Sequence, residues 1–254
     1  SGRDPGSPEA MIPLAFMAVV VVGLLFLFIR GFSSRRALRQ AIGELDPDAV
    51  NRLAGRRSHL ISVVAPIALE GIRAKRIGNI PFGPAGRFNR LDLYRPRNGE
   101  VTGPTLIYFH GGRFRSGDKR REAQGIHYRL ASRGCVVISA NYRLTPKARF
   151  PDYIVDLKRA VAWARNEGPA YGLDPDRIFL AGGSSGAYIA VTGAMTANRP
   201  ELQPGFEETD TSVSGAVGLY GYYGGLDLSR HQTKPPIASD PKSHAKPGLP
   251  PVLL

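Results

Sequence analysis

Residues 178–186 read Ile-Phe-Leu-Ala-Gly-Gly-Ser-Ser-Gly, and this stretch decides the fold. Its first four residues predict a short buried strand, and the small and apolar residues after Ser184 predict a helix over 185–196. A Gly-x-Ser-x-Gly pattern between a strand and a helix is typical of a nucleophile elbow, in which Gly182 and Gly186 permit a strained turn. The pattern therefore predicts that Ser184 projects above the carboxyl edge of the sheet as a nucleophile. The alternative is that the segment forms only a tight turn.

A second motif, His110-Gly111-Gly112-Arg113, begins at the last residue of a predicted strand over 106–110. Small residues at this place let backbone N–H groups approach the oxyanion of a substrate, and the motif precedes the elbow as an oxyanion loop should. Ser185 directly follows the predicted nucleophile, and its backbone N–H is expected to be a further donor. Read alone, the His-Gly-Gly sequence also fits a plain turn.

From residue 72 onward, apolar strands alternate with helical stretches, which predicts the α/β class. The Gly-Pro-Ala-Gly turn at 83–86 suits an antiparallel hairpin at the start of the sheet. The later strands are short, apolar and separated by helices, so we expect a mostly parallel sheet with helices on both faces. The predicted strands are 73–80, 88–94, 106–110, 135–141, 178–181, 213–220 and 251–254, and the predicted helices are 119–132, 152–166 and 185–196.

Several ordered motifs together resemble the α/β-hydrolase superfamily, in the hormone-sensitive-lipase-like and carboxylesterase branch that includes the BD-FAE-like esterases. A set of motifs in a fixed order is more specific than any one of them. The resemblance covers roughly residues 72–254. The motifs that carry it are HGGRFRSGDK at 110–119, ANYRL at 140–144, FPDYIVD at 150–156, GLDPDRI at 172–178 and AGGSSG at 181–186.

The resemblance implies a serine hydrolase that cleaves carboxylic esters, with lipid-like esters as a hypothesis, through an acyl-Ser184 intermediate. It implies no metal ion or organic cofactor. It assigns the oxyanion donors to the N–H groups of Gly112, Arg113 and Ser185, with Gly111 supporting the turn. Arg113 departs from this branch, which usually has a third glycine there, and its β-carbon is expected to narrow the acyl pocket.

The resemblance also implies an acid and a histidine that follow the nucleophile in the order Ser, Asp or Glu, His. The acid should follow the predicted strand 251–254 and the histidine one further strand, so both are expected beyond Leu254. We therefore expect a truncated chain with little ester hydrolysis of its own. The polar candidates in the loop 221–250 are interpreted as lid or surface residues; they are Asp227, Asp240, His231 and His244. His59 and His127 are interpreted as surface or helix residues. Asp156 and the stretch 141–143 are interpreted as structural residues.

Two other functions stay open at this point. An amidase or peptidase on the same fold would use the same acyl-enzyme chemistry, because that chemistry does not fix the leaving group. A non-catalytic binding protein would retain the elbow without a working triad of serine, histidine and acid.

The composition limits the class of protein. The chain has 254 residues, of which 43% are hydrophobic and 22% charged, so it has enough apolar material for a core and is not wholly disordered. Its single cysteine, Cys135, excludes an internal disulfide framework and a multi-cysteine zinc site. The net charge is +13, and residues 30–99 contribute +9 of it, with 14 basic against 5 acidic side chains. No basic module with interleaved aromatic residues is recognisable, so nucleic acid is not an expected partner.

The stretch 11–29 contains 19 residues without a charge, a length that spans a bilayer as a helix. It lacks the small-x-small cleavage site of a signal peptide, and arginines follow it. The pattern predicts a single-pass membrane anchor with the larger part of the chain on the cytoplasmic side. The predicted organisation is a flexible N-terminus at 1–10, the transmembrane helix at 11–29, a basic juxtamembrane helical segment at 30–71 and an α/β-hydrolase domain at 72–254 that is incomplete at its C-terminus.

Overall fold

The computed structural model of the chain describes residues 71–99, 101–226 and 237–254, together with helical residues at 12–13, 15–26, 29–30 and 40. The chain divides into two units, Ser1–His59 and Leu60–Leu254. The predicted flexible N-terminus, nearly all of the predicted juxtamembrane segment, and the residues Asp227, His231 and His59 lie outside the described residues.

The described part of the first unit is helical and exposed. Ile12 and Phe16, for example, are each 71% exposed. Within the described residues, no helix combines the length and the apolar character needed to cross a membrane. The predicted transmembrane helix over 11–29 is therefore not supported by this part of the structure.

The described residues of the second unit contain the seven strands and three helices that the sequence predicts, which confirms the α/β class. The strands are β1 (Ala74–Pro81), β2 (Arg90–Pro96), β3 (Thr105–Phe109), β4 (Val136–Ala140), β5 (Ile178–Gly183), β6 (Gly215–Leu219) and β7 (Val252–Leu253). The helices are α1 (Gln124–Ala131), α2 (Asp152–Asn166) and α3 (Ser185–Met195), with short 3-10 helices at Gly86–Asn89, Gly168–Tyr171, Pro200–Leu202 and Pro241–His244.

Helix α1 begins later than its predicted start at Lys119. Ala123, directly before the helix, has a φ of 58° in the left-handed region. A helix cannot continue through such a residue, because right-handed helical backbone requires a negative φ. Residues 119–122 therefore form a loop instead of the first turn of α1.

The strands form one sheet in the order β1-β2-β4-β3-β5-β6-β7. The pairs β1/β2 and β2/β4 are antiparallel, and every later pair is parallel. Strand β3 lies between β4 and β5, and its last residue, Phe109, is in register with Ala140 and Gly182. This register brings the segment after β3 next to the segment after β5.

The helices α2 and α3 pack on each other through apolar and charged contacts. A β-carbon on Gly193 of α3 would collide with the side chain of Leu157 of α2. The fully buried Lys158 of α2 donates from Nζ to the carbonyl oxygens of Gly193 and Thr196, at 2.9 and 2.7 Å. Burial lowers the pKa of Lys158 to about 7. Helix α2 thus fixes the C-terminal end of the helix that begins at the elbow.

His127 lies on α1, as predicted, but it is fully buried and so is not a surface residue. Its ring packs between the rings of Tyr94 and Tyr108, with centroid distances of 5.2 and 5.0 Å. Among the described residues, neither ring nitrogen finds a hydrogen-bond partner. Burial lowers the pKa of His127 to about 4, so the imidazole is neutral in the folded protein at neutral pH.

We predict that His127 destabilises the fold as the pH falls from about 6.5 to about 4. The unfolded chain binds a proton on this side chain in that interval, with an ordinary pKa of about 6.5, and the folded chain does not. His127→Phe should therefore flatten the pH dependence of the free energy of unfolding. It should also raise that free energy by about 1–3 kcal/mol, because two unpaired buried nitrogens are removed.

Urea unfolding at several pH values between 4 and 7 measures both effects. Tyr128→Phe, on the same helix, is the control and should leave the pH dependence as it is. A wild-type stability that does not change between pH 4 and pH 6.5 would contradict the prediction.

Candidate active site

The turn between β5 and α3 has the strained geometry that the Gly-x-Ser-x-Gly pattern predicts. Ser184 has φ 52° and ψ −116°, a conformation that costs a non-glycine residue about 1–3 kcal/mol. The turn is kept in place by close backbone packing. A β-carbon on Gly186 would collide with the carbonyl group of Phe109, and one on Gly182 would collide with the backbone of Gly186. The Ser184 N–H donates to the carbonyl oxygen of Leu219 in β6, at 2.9 Å.

The loop after β3 contains three consecutive residues with positive φ: Gly112 at 127°, Arg113 at 56° and Phe114 at 61°. A β-carbon on Gly112 would collide with the backbone of Ser116. The Gly112 carbonyl accepts hydrogen bonds from the N–H groups of Arg115 and Ser116, each at 3.0 Å. These contacts explain why a glycine stands at position 112. The term oxyanion loop is used below for residues 110–114.

The oxyanion loop and the elbow meet at a cavity of about 200 Å³. The cavity brings together three of the sequence-predicted site residues, Arg113, Ser184 and Ser185. Gly111 lies beside them, since a β-carbon on it would be 3.3 Å from the Ser184 Cβ. Gly182 and Gly186 form the turn itself, and Gly112 precedes Arg113 in the loop.

Three aromatic residues of the cavity and one carboxylate beside it are not among the predicted site residues. Phe114, Tyr188 and Tyr222 line the cavity. The sequence could have indicated Tyr188 as a site residue, because Tyr188 follows Ser184 by one helical turn and so lies on the same face of α3. Glu122 accepts a hydrogen bond from the Gly111 N–H at 2.5 Å. Glu122 and Tyr222 come from loops, whose paths no sequence periodicity reveals.

Tyr142 contacts both the oxyanion loop and the elbow. Its hydroxyl donates to the His110 carbonyl oxygen at 2.9 Å and lies 3.4 Å from Ser185 Oγ. Its ring stacks on the His110 ring, with a centroid distance of 4.5 Å. His110 Nδ1–H in turn donates to the Gly111 carbonyl oxygen at 2.7 Å. Burial raises the pKa of the Tyr142 hydroxyl and lowers the pKa of His110, so both groups are neutral at pH 7.

Asp156 has the structural role that the sequence predicts for it. Its carboxylate accepts from the backbone N–H of Arg143 at 2.8 Å and from Arg143 Nε at 3.0 Å. Asp156 is buried on α2, and Arg143 follows β4. The pair therefore joins α2 to the segment that carries Tyr142.

The described candidates for a downstream acid and base have other partners. His244 is buried, so its interpretation as a surface residue is wrong, and its Nε2 lies 2.9 Å from the Ala238 carbonyl oxygen. The Asp240 carboxylate accepts from the Lys242 N–H at 3.0 Å and caps the 3-10 helix there. Of the described residues, those that line the cavity include neither a histidine nor a carboxylate. In the described part of the chain, no three His, Cys, Asp or Glu side chains cluster as metal ligands would.

The chain is similar to several named proteins. It is 43% identical over 157 residues to the probable carboxylic ester hydrolase LipM of Mycobacterium tuberculosis, which covers 61% of this chain and 36% of the relative. It is 41% identical over 173 residues to the esterase LipQ of the same organism, which covers 67% of this chain and 41% of the relative. The chain thus spans about two fifths of the length of these relatives.

Solved structures share the fold. Esterase B from Lactobacillus rhamnosis aligns with a TM-score of 0.52 at 25% identity, over 74% of this chain and 58% of that one. A thermophilic esterase from Thermogutta terrifontis aligns with a TM-score of 0.58 at 23% identity, over 71% of this chain and 70% of that one, and this likeness shows the fold alone. The BD-FAE family model matches residues 91–247, a range that begins within β2 and includes β3 to β6, the oxyanion loop and the elbow. The chain belongs to the BD-FAE family of α/β-hydrolase-type esterases.

Proposed function

We propose that the full-length protein hydrolyses carboxylic esters through an acyl intermediate on Ser184. The observation that carries the proposal is the strained Ser184 at the start of α3, in one cavity with Ser185 and Arg113. Membership of the BD-FAE family and the names of the relatives, an ester hydrolase and esterases, support the same reaction.

In the proposed mechanism, Ser184 Oγ attacks the carbonyl carbon of the ester, and the carbonyl oxygen becomes an oxyanion. The N–H groups of Ser185, Gly112 and Arg113 donate hydrogen bonds to this oxygen, and the N-terminus of α3 favours its negative charge. Collapse of the intermediate breaks the bond to the alcohol and leaves the acyl group on Ser184. Water then attacks the acyl carbon and releases the acid. In the first step, a histidine base oriented by an acid takes the proton of Ser184 and gives it to the leaving alcohol. In the second step, the same base takes a proton from the attacking water and returns it to Ser184.

An amidase or peptidase remains the second candidate, because acyl-serine chemistry serves both ester and amide bonds. The ester is favoured, because the relatives are named as esterases. A matched pair of substrates, a 4-nitrophenyl ester and the 4-nitroanilide of the same acid, separates the two functions. Hydrolysis of the anilide as fast as the ester would favour the amidase.

We predict that Ser184→Ala lowers kcat for a 4-nitrophenyl ester by about 10⁴-fold or more in the full-length protein, because it removes the nucleophile. The neighbouring Ser185→Ala is the matched comparison. Ser185 is proposed to act through its backbone N–H, which alanine retains, so this variant should keep at least about a tenth of the activity. Equal losses in both variants, or full activity of Ser184→Ala, would contradict the assignment.

The substrate is proposed to be a hydrophobic ester, since Phe114, Tyr188 and Tyr222 line the cavity. The cavity holds about 200 Å³, less than the roughly 300–1,000 Å³ of drug-sized ligand sites. Arg113 contributes a β-carbon and a long side chain where the resembled branch usually has glycine. The acyl group should therefore be longer than acetyl but limited in length by this wall.

We predict that Arg113→Gly shifts the preferred acyl chain of 4-nitrophenyl esters toward greater length, because it removes the side chain from the cavity wall. It should also stabilise the fold by about 1 kcal/mol, because glycine tolerates the positive φ. Arg113→Ala separates the two effects, since it shortens the side chain but keeps the β-carbon and the strain. A wild-type profile with a sharp preference for acetyl, or one that Arg113→Gly leaves unchanged, would count against the proposed cavity.

Membrane attachment on the cytoplasmic side is also proposed, on the evidence of the sequence alone. The apolar stretch 11–29 and the +9 charge of residues 30–99 favour contact with an anionic lipid surface. Deletion of 11–29 from the full-length protein should move it from the sedimented membrane fraction to the supernatant. Recovery of the intact protein in the supernatant without detergent would contradict the proposal.

A further inference from the structure

Glu122 joins three segments that meet at the candidate active site. Its Oε2 accepts the Gly111 N–H of the oxyanion loop at 2.5 Å, and its Oε1 accepts the hydroxyl of Tyr220, directly after β6, at 2.5 Å. The third segment is the elbow. A β-carbon on Gly183, the residue before Ser184, would lie 2.6 Å from Glu122 Oε1 and closer still to the Tyr220 hydroxyl. The carboxylate thus fills the space that a side chain on Gly183 would occupy.

The oxyanion loop needs contacts of this kind because its backbone is strained. Arg113 and Phe114 both have left-handed φ values, which persist only where the surroundings fix them. At the C-terminal end of the loop, the Phe114 carbonyl accepts from the N–H and Oγ1 of Thr145, at 2.7 and 2.9 Å. At the N-terminal end, the Gly111 N–H donates to Glu122. A hydrogen bond to an ionised carboxylate is about twice as strong as one between neutral groups.

A buried network around Lys119, three residues before Glu122 in the chain, holds the loop that carries Glu122. Lys119 is 3% exposed, and its Nζ lies 3.1 Å from the fully buried carboxylate of Asp92 in β2. The Lys119 carbonyl accepts from Ser139 Oγ in β4 at 2.8 Å, and the Lys119 N–H donates to Asn141 Oδ1 at 2.7 Å. The loop that ends at Glu122 is therefore attached to two strands of the sheet. This attachment gives the carboxylate a fixed position relative to the elbow.

We propose that Glu122 is a positioning residue of the reaction. By bridging Gly111 and Tyr220 across Gly183, it sets the distance between Ser184 and the N–H groups of the oxyanion loop. Glu122 is not among the described residues that line the cavity, so its proposed effect is on the stabilisation of the oxyanion and not on the binding of the ester. This proposal rests on the proposed ester hydrolysis by Ser184.

The test measures kcat, KM and melting temperature of Glu122→Ala, Glu122→Gln and Tyr220→Phe in the full-length protein. A trifluoromethyl ketone with the acyl chain of the substrate serves as the probe, since its adduct with the serine carries an oxyanion. Glu122→Ala should lower kcat by up to about 100-fold, the loss that a misplacement of about 1 Å causes, with KM nearly unchanged. The affinity for the ketone should fall by the same factor as kcat/KM.

Glu122→Gln should recover most of the activity, because its amide oxygen still accepts the Gly111 N–H. Tyr220→Phe, which removes one of the two bridging contacts, should lie between the wild type and Glu122→Ala. The exposed Glu208→Gln is the control and should match the wild type in every measurement. Tyr220→Phe and Glu122→Gln also keep the proposal testable if Glu122→Ala does not fold.

Three results would overturn the proposal. In the first, the melting temperature of the Glu122 variants falls while kcat and the ketone affinity stay at wild-type values, which makes Glu122 purely structural. In the second, KM rises and kcat does not fall, which makes it a substrate contact. In both of these cases, loss of ester hydrolysis in Ser184→Ala shows that the proposed function stands while the proposed role of Glu122 fails. In the third, Ser184→Ala retains activity, and the proposed function fails together with the inference.

Discussion

The close approach of Gly186 to the carbonyl group of Phe109 is the contact on which the rest of the site depends. It places the first turn of α3 directly against the end of β3, with no side chain between them. Because Phe109 is also in register with Gly182, the oxyanion loop leaves the sheet next to the strand that leads to Ser184. A β-carbon at position 186 would push the two segments apart and separate the proposed nucleophile, Ser184, from the proposed oxyanion donors of the loop. A glycine at this position is therefore a requirement of the site as well as of the turn.

Buried ionisable groups connect the segments around this contact to neighbouring elements. Asp92 and Lys119 fix the loop before α1, and Lys158 fixes the end of α3. Asp156 fixes the segment after β4 through Arg143. The ion pairs Asp92–Lys119 and Asp156–Arg143 lose hydration on burial, so they stabilise the fold weakly at best, and removal of one partner leaves an uncompensated charge. Their value here lies in geometry, since each pair joins a loop or helix of the site to a neighbouring element.

Much of this fold could be predicted from the sequence, because the decisive patterns are local. All seven strands were predicted, and α2 was predicted with its observed bounds, Asp152–Asn166. The predicted start of α1 is wrong, because the local sequence carries no sign of the left-handed φ of Ala123. His127 was interpreted as a surface or helix residue, although it is buried between two tyrosines. Its neighbours Tyr94 and Tyr108 come from different strands, so the sequence around His127 carries no sign of them.

In the site, too, the features carried by local sequence patterns could be predicted, and those that depend on contacts between distant segments could not. The elbow and the oxyanion loop are contiguous sequence motifs, and the structure brings Arg113, Ser184 and Ser185 from them to one cavity. Glu122 and Tyr222 reach the site through loops, and only the path of the folded chain reveals them. For the apolar stretch 11–29, a local pattern is not matched by the structure. Its composition predicts a membrane span that the described helical residues do not support.

The identity of the nucleophile is the central claim, and covalent labelling tests it most directly. The full-length protein would be treated with a fluorophosphonate, digested and analysed by mass spectrometry, with ester hydrolysis followed in parallel. The account predicts one phosphonate adduct, on Ser184, that forms at the rate at which activity is lost. Loss of activity with the adduct on another residue, or ester hydrolysis by a protein fully labelled at Ser184, would contradict it.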